Sequence, residues 1–150
     1  NVLLENSANP NLVDHNGASP LHLASWTGDY EVVNLLLQAQ LPQKADLNLK
    51  NKDHETALHL ACQYGHTAVV SLLLNCGSDP FGKNVRLETP LDLAAQYGRL
   101  ETVELLLRLR YDLLKDYLPG HRGLPRHKLL PHSPLHLASR NGHRRVVKLL

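Results

Sequence analysis

The chain is predicted to fold as an all-α solenoid, with short helices paired by turns and the pairs stacked in copies. Three observations predict this. One ten-residue phrase occurs four times, as Ser19-Pro-Leu-His-Leu-Ala-Ser-Trp-Thr-Gly28, Thr56-Ala-Leu-His-Leu-Ala-Cys-Gln-Tyr-Gly65, Thr89-Pro-Leu-Asp-Leu-Ala-Ala-Gln-Tyr-Gly98 and Ser133-Pro-Leu-His-Leu-Ala-Ser-Arg-Asn-Gly142. A second apolar run follows each phrase, centred on Leu35-Leu36-Leu37, Leu72-Leu73-Leu74 and Leu105-Leu106-Leu107, with the fourth copy reaching Leu149-Leu150. The phrases start 37, 33 and 44 residues apart. A near-fixed period in that range marks one supersecondary unit used repeatedly.

Each element follows from its residues. Ser19, Thr56, Thr89 and Ser133 are N-cap residues, whose side-chain oxygens accept an unpaired amide of the first turn. Pro20, Pro90 and Pro134 stand at the first helical position, where a missing N–H costs nothing. Leu, Leu and Ala then share one face. Gly28, Gly65, Gly98 and Gly142 end the short helix in the left-handed conformation. The Leu-rich second helix is apolar on more than one side, so neighbours must cover it. With a basal unit of 33, the first interval carries 4 extra residues and the third 11. Both excesses are expected in loops, because helices cannot absorb them without losing register. Val2 to Pro10 reads as the tail of a preceding second helix, and the fourth copy stops partway through its own. The chain is therefore expected to be a piece of a longer array, with frayed outer units.

Composition narrows the class. Hydrophobic residues make up 43% but aromatics only 5%, and methionine is absent, so the core must be aliphatic and Ala-rich. No apolar run approaches the roughly 20 residues of a membrane span. Two cysteines, Cys62 and Cys76, are too few for a disulfide scaffold, and no N-glycosylation sequon occurs. Both facts favour a reducing, cytoplasmic compartment. The net charge of +2 conceals an asymmetry. Residues 1–107 hold 6 Lys/Arg against 12 Asp/Glu, whereas residues 108–150 hold 10 against 2. Such asymmetry speaks to partners and not to fold.

The Ser/Thr-Pro-Leu-His-Leu-Ala phrases with their Val-Val-x-Leu-Leu-Leu sequels resemble the ankyrin-repeat family over the whole chain. The resemblance implies helix–turn–helix units joined by protruding β-turn fingers. The repeat boundaries are then 1–13 for the end of a preceding repeat, 14–50, 51–83 and 84–127 for full repeats, and 128–150 for a truncated one. The family places glycine two positions before the hydroxyl residue. Gly17 keeps it, but His54, Leu87 and Pro131 do not. A left-handed residue other than glycine costs roughly 1–2 kcal/mol, so the later fingers are expected to be remodelled. Asp92 replaces the family's histidine, so the third unit loses the imidazole bridge that orders neighbouring loops. Gln63-Tyr-Gly-His-Thr67, Glu88-Thr-Pro-Leu-Asp-Leu-Ala-Ala95 and Tyr97-Gly-Arg-Leu-Glu101 are similar to the arrays of Odin-type adaptors, which also carry SAM and phosphotyrosine-binding domains. Caskin-type scaffolds are similar as well.

Three apparent chemical motifs have simpler explanations. Gly77-Ser-Asp-Pro-Phe-Gly82-Lys83 spells most of a phosphate-binding P-loop, but that motif needs a strand before it, a helix after it, and Ser or Thr where Asn84 stands. His59, Cys62 and His66 have helical zinc-ligand spacing. Yet His59 occupies the repeated slot of His22 and His136, and His66 lies beyond the helix-ending glycine. Ser133 and His136 suggest a nucleophile and base, but every such hydroxyl belongs to a cap. No catalytic residue, cofactor or metal is expected.

Function is instead expected where the copies differ. Seven positions after the hydroxyl stand Trp26, Gln63, Gln96 and Arg140, and eight after stand Thr27, Tyr64, Tyr97 and Asn141. The resemblance places these slots on the inner face of the first helix, lining a concave groove with the finger tips. Those tips are His15, Asn16 and Ala18, then Lys52, Asp53 and Glu55, then Val85, Arg86 and Glu88. Trp and Tyr are effective anchors for a partner. The basic end suits an acidic or phosphorylated peptide, while nucleic acid lacks a supporting set of stacking aromatics. The expected function is protein recognition by a signalling adaptor or scaffold. The alternative is an array that docks an enzyme or ion-channel domain of the same protein.

Overall fold

The computed structural model describes residues 9–38, 44–109 and 133–150. These residues are helical, with no strand among them. The helices are α1 (Pro20–Thr27), α2 (Tyr30–Leu37), α3 (Ala57–Tyr64), α4 (Thr67–Asn75), α5 (Pro90–Gln96), α6 (Leu100–Leu109), α7 (Pro134–Arg140) and α8 (Arg144–Leu149). Helices α1, α3, α5 and α7 pack in sequence as an inner layer, and α2, α4, α6 and α8 as an outer one. The first interval's extra residues fall between α2 and α3, outside both helices. Helix α5 packs directly on α7, so the third interval's insertion leaves the stack unbroken. That insertion, Pro131 and the helix tail expected at residues 2–8 lie outside the described residues.

The core repeats with the sequence. Leu21, Leu58 and Leu91 are buried, as are Ala24, Ala61, Ala94 and Ala138 between the inner helices. Val33, Val70 and Val103, with Leu36, Leu73 and Leu106, bury the outer helices. Each such leucine contributes roughly 1.5–3 kcal/mol by leaving water. Leu135 occupies the slot of Leu21, Leu58 and Leu91 but is 45% exposed. The slot is covered by the following unit where one lies over it.

The caps form as the residues require, and their fourth position does two jobs. Ser19, Thr89 and Ser133 accept the N–H of His22, Asp92 and His136. In return, Ser19 N–H donates to His22 Nδ1 at 3.2 Å and Thr56 N–H to His59 Nδ1 at 3.1 Å. Thr89 N–H donates to Asp92 Oδ2 at 2.9 Å. An accepting Nδ1 leaves the proton on Nε2. His22 Nε2 then donates to Glu55 O at 3.0 Å, and His59 Nε2 to Gly82 O at 3.1 Å. Asp92 performs the capping half of this role, with carboxyl oxygens where the imidazoles carry their second ring nitrogen.

The fingers correct the expectation of remodelling. His54 and Leu87 adopt φ of 58° and 63°, close to the 76° of Gly17. All three fingers share one hydrogen-bond scheme. Asp14, Asn51 and Asn84 each accept two backbone amides on Oδ1, from Asn16 and Ala18, Asp53 and Glu55, and Arg86 and Glu88. The turn closes through Gly17 N–H to Asp14 O, His54 N–H to Asn51 O and Leu87 N–H to Asn84 O, each 3.0 Å. Neighbouring fingers are joined by Lys52 N–H to Asn16 O and Val85 N–H to Asp53 O, also 3.0 Å. This number of bonds holds a non-glycine residue in a disfavoured conformation.

A further set of ties crosses each junction behind the helix-ending glycines. His66 Nε2 donates to Trp26 O at 3.0 Å, Arg99 Nε to Gln63 O at 2.9 Å, and His143 Nε2 to Gln96 O at 2.8 Å. A Cβ on Gly28 would lie within 2.7 Å of three His66 ring atoms. Glycine is thus required there for space as well as for its φ of 78°.

Two measurements check this scaffold. His54→Gly and Leu87→Gly should each raise the urea midpoint, by about 1 kcal/mol of stability, because the left-handed penalty disappears. A lowered midpoint would mean that these side chains stabilise the finger. Burial also pushes His22 and His59 below the usual imidazole range, His59 to about 4. Between pH 6.5 and 4 the unfolded imidazole takes a proton that the folded one refuses. Stability is therefore full above 6.5 and falls as pH drops towards 4, on the order of 3 kcal/mol for His59. Urea unfolding across that window should show the loss, and His59→Asn should flatten much of it.

Candidate interaction surface

The ends of the inner helices carry the aromatic residues. Trp26 lies in the last turn of α1, Tyr64 in the last turn of α3, and Tyr97 caps α5. They are 48%, 41% and 39% exposed, which is neither core nor free surface. Trp26 and Tyr64 meet edge to face, with centroids 6.2 Å apart and planes at 82°. Tyr64 also lies parallel to His66, with centroids 6.4 Å apart. Because His66 holds the Trp26 carbonyl, ring positions and stack register are coupled. The rings help join units and still present about half their area.

The remaining varied slots divide. Gln63 and Gln96 are half-buried, and their carbonyls receive Arg99 and His143. Asn141 Nδ2 also donates to Gln96 O, at 2.7 Å. Thr27 is exposed, but its hydroxyl donates back to Leu23 O and Ala24 O at 3.2 and 3.1 Å. Its hydrogen-bonding capacity is largely spent inside its own helix. Arg140 is exposed at the end of α7.

At the fingers, His15, Asn16, Lys52, Asp53 and Arg86 are exposed. Glu55 and Glu88 are not: both are buried, which corrects their expected place at the accessible tips. Glu88 Oε2 receives Asn84 Nδ2 at 3.0 Å and Arg86 Nε at 2.7 Å, and Glu55 Oε2 receives Asn51 Nδ2 at 3.3 Å. These carboxylates brace the turn from within. The hydrogen bond to Glu88 raises the Arg86 guanidinium pKa further. The tips gain apolar surface instead. Val85, already placed there, and Leu87 are 54% and 60% exposed. Reading Leu87 only as a misfit for a glycine slot hid it, because the left-handed turn directs its side chain outward.

The residues with apparent chemistry are otherwise employed. His59 and His66 make the ties described above. Cys62 is wholly buried, and burial raises its thiol far above the usual range, so no thiolate forms to ligate or attack. Ser133 Oγ lies 2.6 Å from His136 Nδ1, but Ser19–His22 and Thr56–His59 repeat the contact at 2.8 and 2.9 Å. It belongs to the cap. Gly77 to Lys83 joins α4 to the third finger, and Asn48 Oδ1 accepts Asp79 N–H at 3.1 Å. No helix begins until Pro90, so the phosphate cradle of a P-loop is not formed.

Arg108, Arg140, Arg144, Arg145 and Lys148 are exposed towards the far end of the stack. Among the described residues the ion pair found is Arg86–Glu88, so none of these five side chains lies within ion-pair distance of a described carboxylate. Glu101, Arg144 and Arg145 border one shallow groove beside α6 and α8. Arg110, Lys115, Arg122, Arg126 and Lys128 lie outside the described residues.

Comparison with known families agrees with this geometry. A model of ankyrin repeats in three copies matches residues 37–117, a model of ankyrin repeats in many copies matches 1–37, and a single ankyrin-repeat model matches 132–150. No curated protein matches the chain. Among the described residues, no helix is long and apolar enough to cross a membrane. The stacked helix pairs, the hydrogen-bonded fingers and these matches together show that the chain belongs to the ankyrin-repeat family, whose repeats are in general protein–protein interaction modules.

Proposed function

We propose that the chain is the non-catalytic recognition arm of an intracellular signalling adaptor or scaffold. The partner protein lies against the inner helices and the finger tips. The observation that carries this reading is the pairing of Trp26 with Tyr64 on the inner layer. The chain's one Trp is 48% exposed and set edge to face against Tyr64, beside repeated leucines and alanines that are largely buried. Large, ordered, half-exposed aromatics are what binding hot spots are made of. Tyr97, Arg140 and the exposed tips His15, Asn16, Lys52, Asp53 and Arg86 form the rest of the contact surface. Val85 and Leu87 add apolar area. Thr27 contributes shape more than hydrogen bonds, and Gln63 and Gln96 complete the surface.

The exposed arginines of α7 and α8 suit an acidic or phosphorylated stretch of the same partner. The adaptor reading rests on the similarity to Odin-type arrays, with SAM and phosphotyrosine-binding domains elsewhere in such proteins. The free thiols of Cys62 and Cys76 are in keeping with a reducing cytoplasm.

Trp26→Ala should weaken a partner recovered from cytosol by about thirtyfold, the size of a 2 kcal/mol hot spot. Its urea midpoint should fall by only about 1 kcal/mol of stability, the size of the lost ring contact. Titration calorimetry on the purified pair reads the first and equilibrium unfolding the second. Unchanged affinity removes the inner face from the contact.

A further inference from the structure

We propose that the Trp26–Tyr64 corner receives a cationic side chain of the partner, an ammonium or guanidinium group, in the acidic field of the first repeat. The inference rests on reading the inner face as the partner site and adds the chemistry of its central contact. Two aromatic planes at 82° with centroids 6.2 Å apart form two walls of a corner. The contact is edge to face, so a cation set in the angle beside it meets the uncovered part of one ring's face and the face of the other, each the negative pole of an aromatic quadrupole. An apolar partner side chain would fill the same space without using this field.

The charge around the corner selects the cation. The described residues 9–38 contain Asp14, Asp29 and Glu31 and no lysine or arginine. Asp29 stands three residues after Trp26. Its Oδ1 accepts Val32 N–H at 3.1 Å, and among the described residues no hydrogen bond to its Oδ2 is found. Asp14, in the finger of the same unit, is exposed. Backbone hydrogen bonds hold it below the usual carboxylate range, so it is ionised at neutral pH. Lys52 of the next finger and Arg99, tied to Gln63 O beside Tyr64, approach from the neighbouring unit, but on the Trp26 side the described charges of the first unit are all negative and draw in a cation.

The corner is also ordered before any ligand arrives. The His66 tie to the Trp26 carbonyl fixes the backbone under one wall, and His66 lies parallel to the other. Preordered walls lose little entropy on binding.

Trp26 is the chain's only tryptophan, so its emission reports on this site alone. The test titrates the protein with tetramethylammonium chloride and a short Lys-Gly peptide. Sodium chloride at matched ionic strength and a Glu-Gly peptide serve as controls. A saturable emission change is expected with the first two only. It should be roughly tenfold weaker in Tyr64→Leu, which keeps bulk but removes one wall. It should also weaken in Asp29→Asn, which keeps the helix cap. Circular dichroism confirms that the variants are folded. A response equalled by sodium chloride, retained in Tyr64→Leu, or stronger with the Glu peptide overturns the inference. If Trp26→Ala abolishes partner capture but tetramethylammonium neither shifts emission nor competes, the cation is wrong and the inner-face reading stands. If emission responds but Trp26→Ala leaves capture unchanged, the inner-face reading fails and takes the partner's cation with it.

Discussion

Everything in this chain depends on holding each helix pair against the next in a single register. One pair of short helices cannot bury its own leucines, because its apolar surface faces two ways. Burial favours stacking but is indifferent to small slips along the contact. Directional bonds to carbonyls remove that freedom. Between the first two units, His22 reaches Glu55 O, His66 reaches Trp26 O, and the finger amide of Lys52 reaches Asn16 O. Between the second and third, His59, Arg99 and Val85 do the same to Gly82, Gln63 and Asp53. All of these act on backbone acceptors, so the scheme tolerates different side chains on the receiving unit.

That tolerance explains why the stack can carry varied residues. Trp26, Gln63 and Gln96 hold equivalent slots and accept an equivalent tie through their carbonyls. Their side chains are consequently released for other uses. The aromatic pair sits on the same bond that sets register, and a surface fixed in this way is preorganised. The charge asymmetry is superimposed on the scaffold, with acidic early units and exposed arginines on α7 and α8. A partner matched to both ends would be oriented as well as attracted.

Much of the fold was legible because one residue type answered one physical need. Ser or Thr before Pro reads as a cap, Gly nine positions later reads as a left-handed end, and both formed at the expected places. The fingers were harder. His54 and Leu87 break the glycine rule, and the compensation lies in Asp14, Asn51 and Asn84, whose double acceptance is visible only in three dimensions. The ties behind the glycines were hidden because His66, Arg99 and His143 share a position and a donor but not an identity. The buried Glu55 and Glu88 were mistaken for tip residues since a carboxylate beside a turn normally faces water. The aromatic slots were legible as positions, but their geometry was not, since ring orientation depends on contacts from the next unit.

Polar ties across a junction couple neighbouring units. The most direct test follows urea unfolding by two signals at once, Trp26 emission for the first unit and far-ultraviolet circular dichroism for the whole chain. In the parent protein the two curves should coincide. In a His22→Ala/His66→Ala variant, which cuts the two histidine ties between the first and second units and leaves that of Asn48 to Asp79, they should separate, with the Trp26 transition moving to lower urea. Curves that still coincide at the parent midpoint would contradict the claim and assign the coupling to apolar packing alone.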